Sequence, residues 1–297
     1  LNLEEFSMKI AFHQITSGSK RDLKETFKAY AEAGWRHFEV NLWETEAFVT
    51  QHGAKSLAAL AKDFGLHCVG ATGLSIPAFQ GGEAHEAATK QMEIHAQVMN
   101  ALECTTIVVG GDVPKDFPPR AQNSTEKALS ARDATYRNAL KEFAMAVERV
   151  AETAAKYDVT LALEVNWCGL ARSFRTMAEL VMMVDRDNVG ATWDPAHFYS
   201  TASRLSDLDR LRGKIVHAHL NDIRDCFMEA MDINGDRVLP GDGVLPLVEW
   251  TDKIHSLGYR GWHCVELFSD DLWAEPLHEI ATRAKKACER VWPDAEF

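Results

Sequence analysis

The sequence predicts an α/β chain folded as a single (β/α)₈ barrel domain over residues 1–297. Three observations point there. Strand-like and helix-like segments alternate through eight cycles, and the length suits one large barrel. Four consecutive strands in the second half each finish on an oxygen or imidazole ligand. A parallel barrel gathers the C-terminal ends of its strands around one rim, where such side chains converge. A doubly wound sheet is the alternative, but no GxGxxG or GxxxxGKS follows any strand.

The elements follow in order. Lys9 to Ile15 reads as the first strand. Arg21 to Ala33 is a helix with Leu23, Phe27, Tyr30 and Ala31 on one face, stopped by Gly34. His37 to Leu42 is the second strand, and a helix from about Lys55 to Phe64 ends at Gly65. His67 to Thr72 is the third strand, followed by a helix from about His85 to Leu102. Thr105 to Gly111 is the fourth strand, and a long helix from about Thr125 to Tyr157 leads to the fifth, Thr160 to Asn166. A helix at Thr176 to Val184 precedes strand six, Val189 to Asp194. A shorter helix near Leu205 to Leu211 precedes strand seven, Ile215 to Leu220. A helix at Leu245 to Leu257 precedes strand eight, Trp262 to Leu267, and a last helix runs from about Glu275 to Arg290. Two connections are longer than the rest, Asp112 to Ser124 and Ile223 to Gly243. Both fall on the C-terminal side of the barrel, where active-site loops and lids belong.

Bulk properties narrow the function. The formal net charge is −12 and no Lys/Arg block stands out, which disfavours nucleic acid and anionic membranes as partners. No apolar run reaches bilayer-spanning length, and the start Leu1 to Phe6 is too acidic and too short to read as a signal peptide. The six cysteines (Cys68, Cys104, Cys168, Cys226, Cys264 and Cys288) show no CxxC spacing and read as free thiols of a reducing cytoplasm. The expected location is therefore cytoplasmic.

Strand parity gives the site. Ala162, Glu164 and Asn166 share one face of strand five. Thr192 and Asp194 share one of strand six, His217 and His219 one of strand seven, and Cys264 and Glu266 one of strand eight. The intervening residues are mostly apolar and suit packing against helices. Glu164, Asp194, His219 and Glu266 therefore point inward near the strand ends. Three carboxylates crowded there repel one another unless a divalent cation removes the penalty. A donor set of three oxygens and one nitrogen, without thiolates, suits one divalent ion, Mn²⁺, Co²⁺, Mg²⁺ or Zn²⁺, rather than a structural zinc.

With these motifs in hand, the chain resembles the xylose isomerase-like TIM-barrel superfamily. This is the sugar phosphate isomerase/epimerase group that includes ketose 3-epimerases, inosose dehydratases and endonuclease IV. The resemblance covers nearly the whole chain. It implies metal ligands Glu164, Asp194, His219 and Glu266, with His217 deeper in the barrel. It implies that the two glutamates, Glu164 and Glu266, take and return a proton beside a keto sugar's carbonyl through an enediolate. His197, from Asp194-Pro195-Ala196-His197, is expected to bind a substrate oxygen. Asn166, Trp167, His13 and Trp43 are expected pocket residues, with Arg224 a further substrate contact. The family's habit implies a dimer or tetramer, with a small sugar as the other partner.

Departures limit the match. Ketose 3-epimerases place a second Glu where this chain has Leu170, and an Arg where it has Asp225 beside Arg224. The expected activity is therefore a metal-dependent sugar isomerase or epimerase, with a dehydratase or lyase acting on an inosose or 3-keto-glycoside as the alternative. A non-catalytic sugar-binding protein is a weaker reading. The endonuclease IV reading requires a His where Asp236-Arg237-Val238 supplies Val238, which cannot ligate. Pro240-Gly241-Asp242-Gly243 resembles the family's glycine-rich turn, with Asp242 expected near the metal's ligands.

Overall fold

The computed structural model describes residues 7–115, 125–166 and 169–297. Eight parallel strands close into a barrel. They are β1 (Ile10–His13), β2 (His37–Asn41), β3 (His67–Ile76), β4 (Thr106–Gly111), β5 (Thr160–Glu164), β6 (Val189–Trp193), β7 (Ile215–Leu220) and β10 (His263–Val265). Two short strands, β8 (Asp222–Ile223) and β9 (Arg237–Val238), form an antiparallel pair on the rim between β7 and β10. The outer ring comprises α1 (Leu23–Glu32), α2 (Leu42–His52), α3 (Ala54–Asp63), α4 (Gly82–Ala101), α5 (Glu126–Ala155), α6 (Phe174–Val184), α7 (Pro195–Ser200), α8 (Leu247–Ser256), α9 (Asp270–Trp273) and α10 (Leu277–Val291).

The barrel is closed by β1 pairing with both β2 and β10, so it has no free sheet edge. Residues facing the helices make the apolar core. Phe12 packs edge-on against Tyr30 and beside Trp35, and Trp193 sits among Phe174, Phe198 and Trp250. Burying one such ring removes about 150–250 Å² from water, which contributes on the order of 5 kcal/mol as an upper bound. The barrel interior is different. His13, Glu39, His217 and His219 lie there fully buried, so a polar column stands inside an apolar shell.

Differences from the sequence expectations concentrate at element ends. The strand expected over Lys9 to Ile15 stops at His13 and turns into a 3₁₀ helix over Gln14–Ser17. Helix α2 was not anticipated. It buries only Leu42 and Thr45 and so carries almost no apolar periodicity; Asn41 starts it by accepting from the Trp43 and Glu44 amides. The segment Leu205–Leu211 is 3₁₀ rather than α. Strand β3 runs on to Ile76, through a register shift between Thr72 and Leu74. Among the described residues, no helix is long and apolar enough to cross a membrane, and Cys68, Cys104, Cys226, Cys264 and Cys288 are free thiols.

Candidate metal centre

Each of the four convergent side chains is fixed by a local device. Glu164 is the last residue of β5, held by pairing of that strand with β4 and β6. Asp194 ends the run of β6 because it becomes the N-cap of α7. Its Oδ1 accepts from the His197 amide at 2.8 Å, and Pro195 occupies the first helical position, where a missing N–H costs nothing. The spacing of Asp194-Pro195-Ala196-His197 is thus a capping motif that leaves Oδ2 free to face the barrel. Asn221 donates to that Oδ2 at 3.0 Å while its own Oδ1 accepts from the Ala196 amide at 2.9 Å. His219 lies on β7, opposite Cys264 of β10. Glu266 follows β10, and its backbone is pinned by Glu266 N donating to Leu220 O and by Leu267 N donating to Thr16 Oγ1.

These four residues present ligand atoms that all lie within 4.8 Å of one another. His219 Nδ1 is 3.0 Å from Glu164 Oε1, 3.3 Å from Glu266 Oε2 and 3.7 Å from Asp194 Oδ2. Yet Nδ1 and Glu164 Oε1 are both buried and neither has a hydrogen-bond partner, because the approach is out of line. An orphaned imidazole nitrogen facing three carboxylates is what a cation would satisfy. The donor set fits a hard or borderline divalent ion.

The electrostatics agree. Burial pushes the Asp194 carboxyl up, but Arg237, His197 and His219 overcome it and hold the group well below the usual range. Burial also raises Glu164, and the His219 and His197 rings bring it below its ordinary value. Burial lowers His219, whereas Glu266, Glu39, Asp194 and Glu164 around it raise it well above an ordinary imidazole.

Arg237 is the functional-site residue that sequence reasoning missed. The sequence marks it only as the neighbour of Val238. Strand β9 sends it into the barrel mouth, fully buried. Its Nη1 donates to Glu266 Oε2 at 2.8 Å and approaches Asp194 Oδ2 at 3.4 Å, and its Nη2 lies 3.2 Å from His197 Nε2. Its Nε donates to Ile233 O at 3.0 Å, which locks the fork. A two-residue strand is too short to carry an alternation pattern, so the sequence held no signal for Arg237. Three carboxylates and one guanidinium leave two negative charges uncompensated, the charge of one divalent ion.

The other expected residues divide. His197 and Asn166 line the cavity of about 670 Å³ that opens above the cluster, together with Trp43, Asn234 and Phe268. His13 is not in the cavity wall; it lies fully buried beneath the cluster. Arg224 departs from expectation. The β8–β9 turn points it outward, where it is half exposed and pairs with Asp236. Asp242 departs too, since it is a surface residue paired with Arg290. The turn that contains it is organised by Asp222 instead, whose carboxylate accepts from the amides of Ile223, Gly241, Gly243 and Leu245. Trp167 lies outside the described residues, as does the part of the Asp112 to Ser124 connection from 116 to 124.

Comparisons with known proteins agree with this architecture. Residues 27–290 match the xylose isomerase-like TIM barrel family. A protein named inosose isomerase from Bacillus velezensis is 25% identical over 290 residues, spanning 96% of this chain and 97% of its own. An inosose dehydratase from Histophilus somni is 30% identical over 139 residues, 41% of this chain and 46% of that protein. Among solved structures, the IOLI protein with a binding zinc atom superposes with a TM-score of 0.80 at 21% identity, over 96% of this chain and 98% of that one. With a family match across most of its length and the closed parallel barrel to go with it, the chain belongs to the xylose isomerase-like TIM-barrel family.

Proposed function

We propose that this chain is a divalent-metal-dependent sugar isomerase that moves a proton next to the carbonyl of a cyclic keto polyol of the inosose type. The observation that carries the reading is the pair of orphaned atoms, His219 Nδ1 and Glu164 Oε1, set among Asp194 and Glu266 at the mouth of a closed barrel. The full-length resemblance to an inosose isomerase supports the substrate class. Glu164, Asp194, His219 and Glu266 would hold the ion, for which Mn²⁺ is our assignment. Such an ion supplies Lewis-acid polarisation of a carbonyl and neutralises developing negative charge.

The remaining chemistry belongs to the chain's own groups. Glu164 and Glu266 arrive from β5 and β10, with β6 and β7 between them, so they reach the cavity from different sides. In this reading they would face opposite sides of a bound ring, one removing the proton beside the carbonyl and the other returning one. Arg237 and His197 present a fixed fork and a ring for substrate oxygens, and Asn166 adds an amide to the same wall. The apolar walls, with Phe268 against Arg237, restrict water around the carbon acid.

The test is proton exchange in D₂O. Inososes and free ketoses are incubated with the Mn²⁺-loaded protein, and deuterium uptake and products are read by NMR. Uptake at the carbon beside the carbonyl, with an isomeric product, is expected. Glu164→Gln and Glu266→Gln should each slow it by about 10²–10⁴-fold, the usual worth of a positioned acid or base. Exchange that survives either substitution sinks the two-base assignment. An unsaturated product would move the reaction to dehydration, in line with the inosose dehydratase likeness.

A further inference from the structure

Beneath the four convergent side chains lies a second polar group that the proposed chemistry does not use. Glu39 on β2 is completely buried at the centre of the barrel. His217 Nε2 lies 2.8 Å from its Oε2, and His219 Nε2 lies 3.4 Å from Oε2 and 3.5 Å from Oε1. The Cys264 thiol faces the same carboxylate and is driven up by burial and by that charge. His13 Nε2 is 3.6 Å from Glu39 Oε1 and 3.7 Å from Glu266 Oε1.

Proton bookkeeping decides what this group is. A carboxylate only accepts, so the imidazole nitrogens that meet it must carry the hydrogens. In the metal-free chain both nitrogens of His219 face carboxylates, Nε2 toward Glu39 and Nδ1 toward Glu164, Asp194 and Glu266; an ion held among those three would take the place of the Nδ1 proton and leave the Nε2 proton directed at Glu39. His13 is fixed independently. Its Nδ1 accepts from the Ile15 amide at 3.0 Å, so its proton sits on Nε2, which faces Glu39 and Glu266 without a hydrogen bond to either. That excludes His13 Nε2 as a metal ligand, although His13, Glu39 and His219 lie close enough to suggest a second ion site. Glu39 is the acceptor at the centre of this cluster, taking a hydrogen bond from His217 and a longer one from His219.

We propose that Glu39 is a positioning residue: by accepting from His219 Nε2 it selects Nδ1 as the ligating nitrogen and holds the ring in the plane the ion requires. The proposal rests on the metal reading above. A carboxylate behind a ligating imidazole fixes its tautomer and orientation and raises its basicity. Glu39 does this with an anchor of its own, the 2.8 Å bond from His217, which keeps the carboxylate from rotating. Room for that anchor comes from Gly70 on β3, where a Cβ would stand 2.6 Å from His217 Cε1.

Glu39→Gln is the discriminating change. The amide offers one acceptor and one donor where the carboxylate offered two acceptors. Its NH₂ must then oppose the N–H of His217 or of His219. Zn²⁺ binding to the full chain is measured by calorimetry, with metal-free and zinc-loaded thermal melts of the same samples. The unsubstituted protein is expected to bind one ion, and Glu39→Gln to bind it about 10–100-fold more weakly. The zinc-induced rise in melting temperature should shrink accordingly. Glu39→Asp, which keeps two acceptors, should recover part of the affinity. A merely structural role predicts a lower metal-free melting temperature with the zinc increment intact, and that result overturns the proposal. Should Glu39→Gln fail to fold, the ¹⁵N spectrum of the zinc-loaded unsubstituted protein decides. Nδ1 shifted by the ion with the proton retained on Nε2 supports the proposal; ligation through Nε2 overturns it. Failure of the unsubstituted protein to bind any divalent ion overturns the metal reading itself.

Discussion

At the scale of single residues, the site is a matter of which atoms are already spoken for. Asp194 commits one oxygen to capping α7 and keeps the other for the barrel mouth. The sequence marks Asp194 as a ligand; that its other oxygen caps α7 is set by the fold, where Pro195 opens the helix and the His197 amide meets Oδ1. Arg237 was not legible, because its importance depends on a two-residue strand that only a folded rim defines. It also carries a sharp prediction. The guanidinium meets oxygens of Glu266 and Asp194, two of the residues that would hold a divalent ion. At an effective dielectric of about 20, a dication and a monocation roughly 5 Å apart repel by about 7 kcal/mol. The charged hydrogen bond that Arg237 gives Glu266 is worth only about 1.5–3 kcal/mol. Repulsion wins. Arg237→Met should bind Mn²⁺ at least about 10-fold more tightly, while kcat/KM falls because the oxygen-binding fork is gone. Calorimetry beside steady-state kinetics separates the two effects, and weakened ion binding would show that Arg237 serves mainly to orient the ligands.

At the scale of elements, the eight strands and most helices were readable because barrel strands and their covering helices carry strong periodicity. The misses have a common cause: hydrogen bonds that end or start an element without an apolar signature. Helix α2 begins on the Asn41 cap, and the backbone after β10 is held by Thr16, a residue distant in sequence that replaces a ladder partner. The glycine-rich turn at Pro240 to Gly243 shows the same thing. The sequence drew attention to Asp242, but the structure uses Asp222 as the hub, with Gly243 so close that a Cβ there would lie 2.4 Å from Asp222 Oδ1. Asp222→Ala would leave the amides of Ile223, Gly241, Gly243 and Leu245 without that acceptor. Buried unpaired N–H groups cost about 1–3 kcal/mol each before water rescues some of them. A loss of roughly 3–5 kcal/mol in urea unfolding is expected, together with weakened turnover, since the β8–β9 pair delivers Arg237. A loss below about 1 kcal/mol would show that the turn holds itself.

At the scale of the whole molecule, the polar column inside an apolar barrel makes stability a function of pH. Burial depresses several imidazoles: His95 and His255 fall to about 4, and burial with His255 nearby holds His263 well below its ordinary value. These rings are neutral when folded and take up protons near pH 6.5 when unfolded. The unfolded chain therefore binds more protons between about pH 6.5 and 4, and stability falls as the pH falls through that window. Below it, Glu39 and Asp194 add their own loss. Their folded values are depressed, so their stabilisation is present above about pH 4 and disappears as acid finally protonates them. His219 works on the other side. Its value is raised, so its contribution in the metal-free chain is complete below about pH 6.5 and is lost as pH climbs through the raised value. The acid limb can be tested away from the site. His95 is buried on α4 and touches Gln91, far in sequence from any ligand. A shift from 6.5 to about 4 corresponds to on the order of 3 kcal/mol at about 1.4 kcal/mol per unit. Urea unfolding of the metal-free protein between about pH 6.5 and 4 should show stability falling, and His95→Leu should flatten that fall by most of this amount. An acid limb just as steep in His95→Leu would mean that the ring is already charged in the folded chain, and the carboxylates of the barrel centre would then have to account for the whole slope.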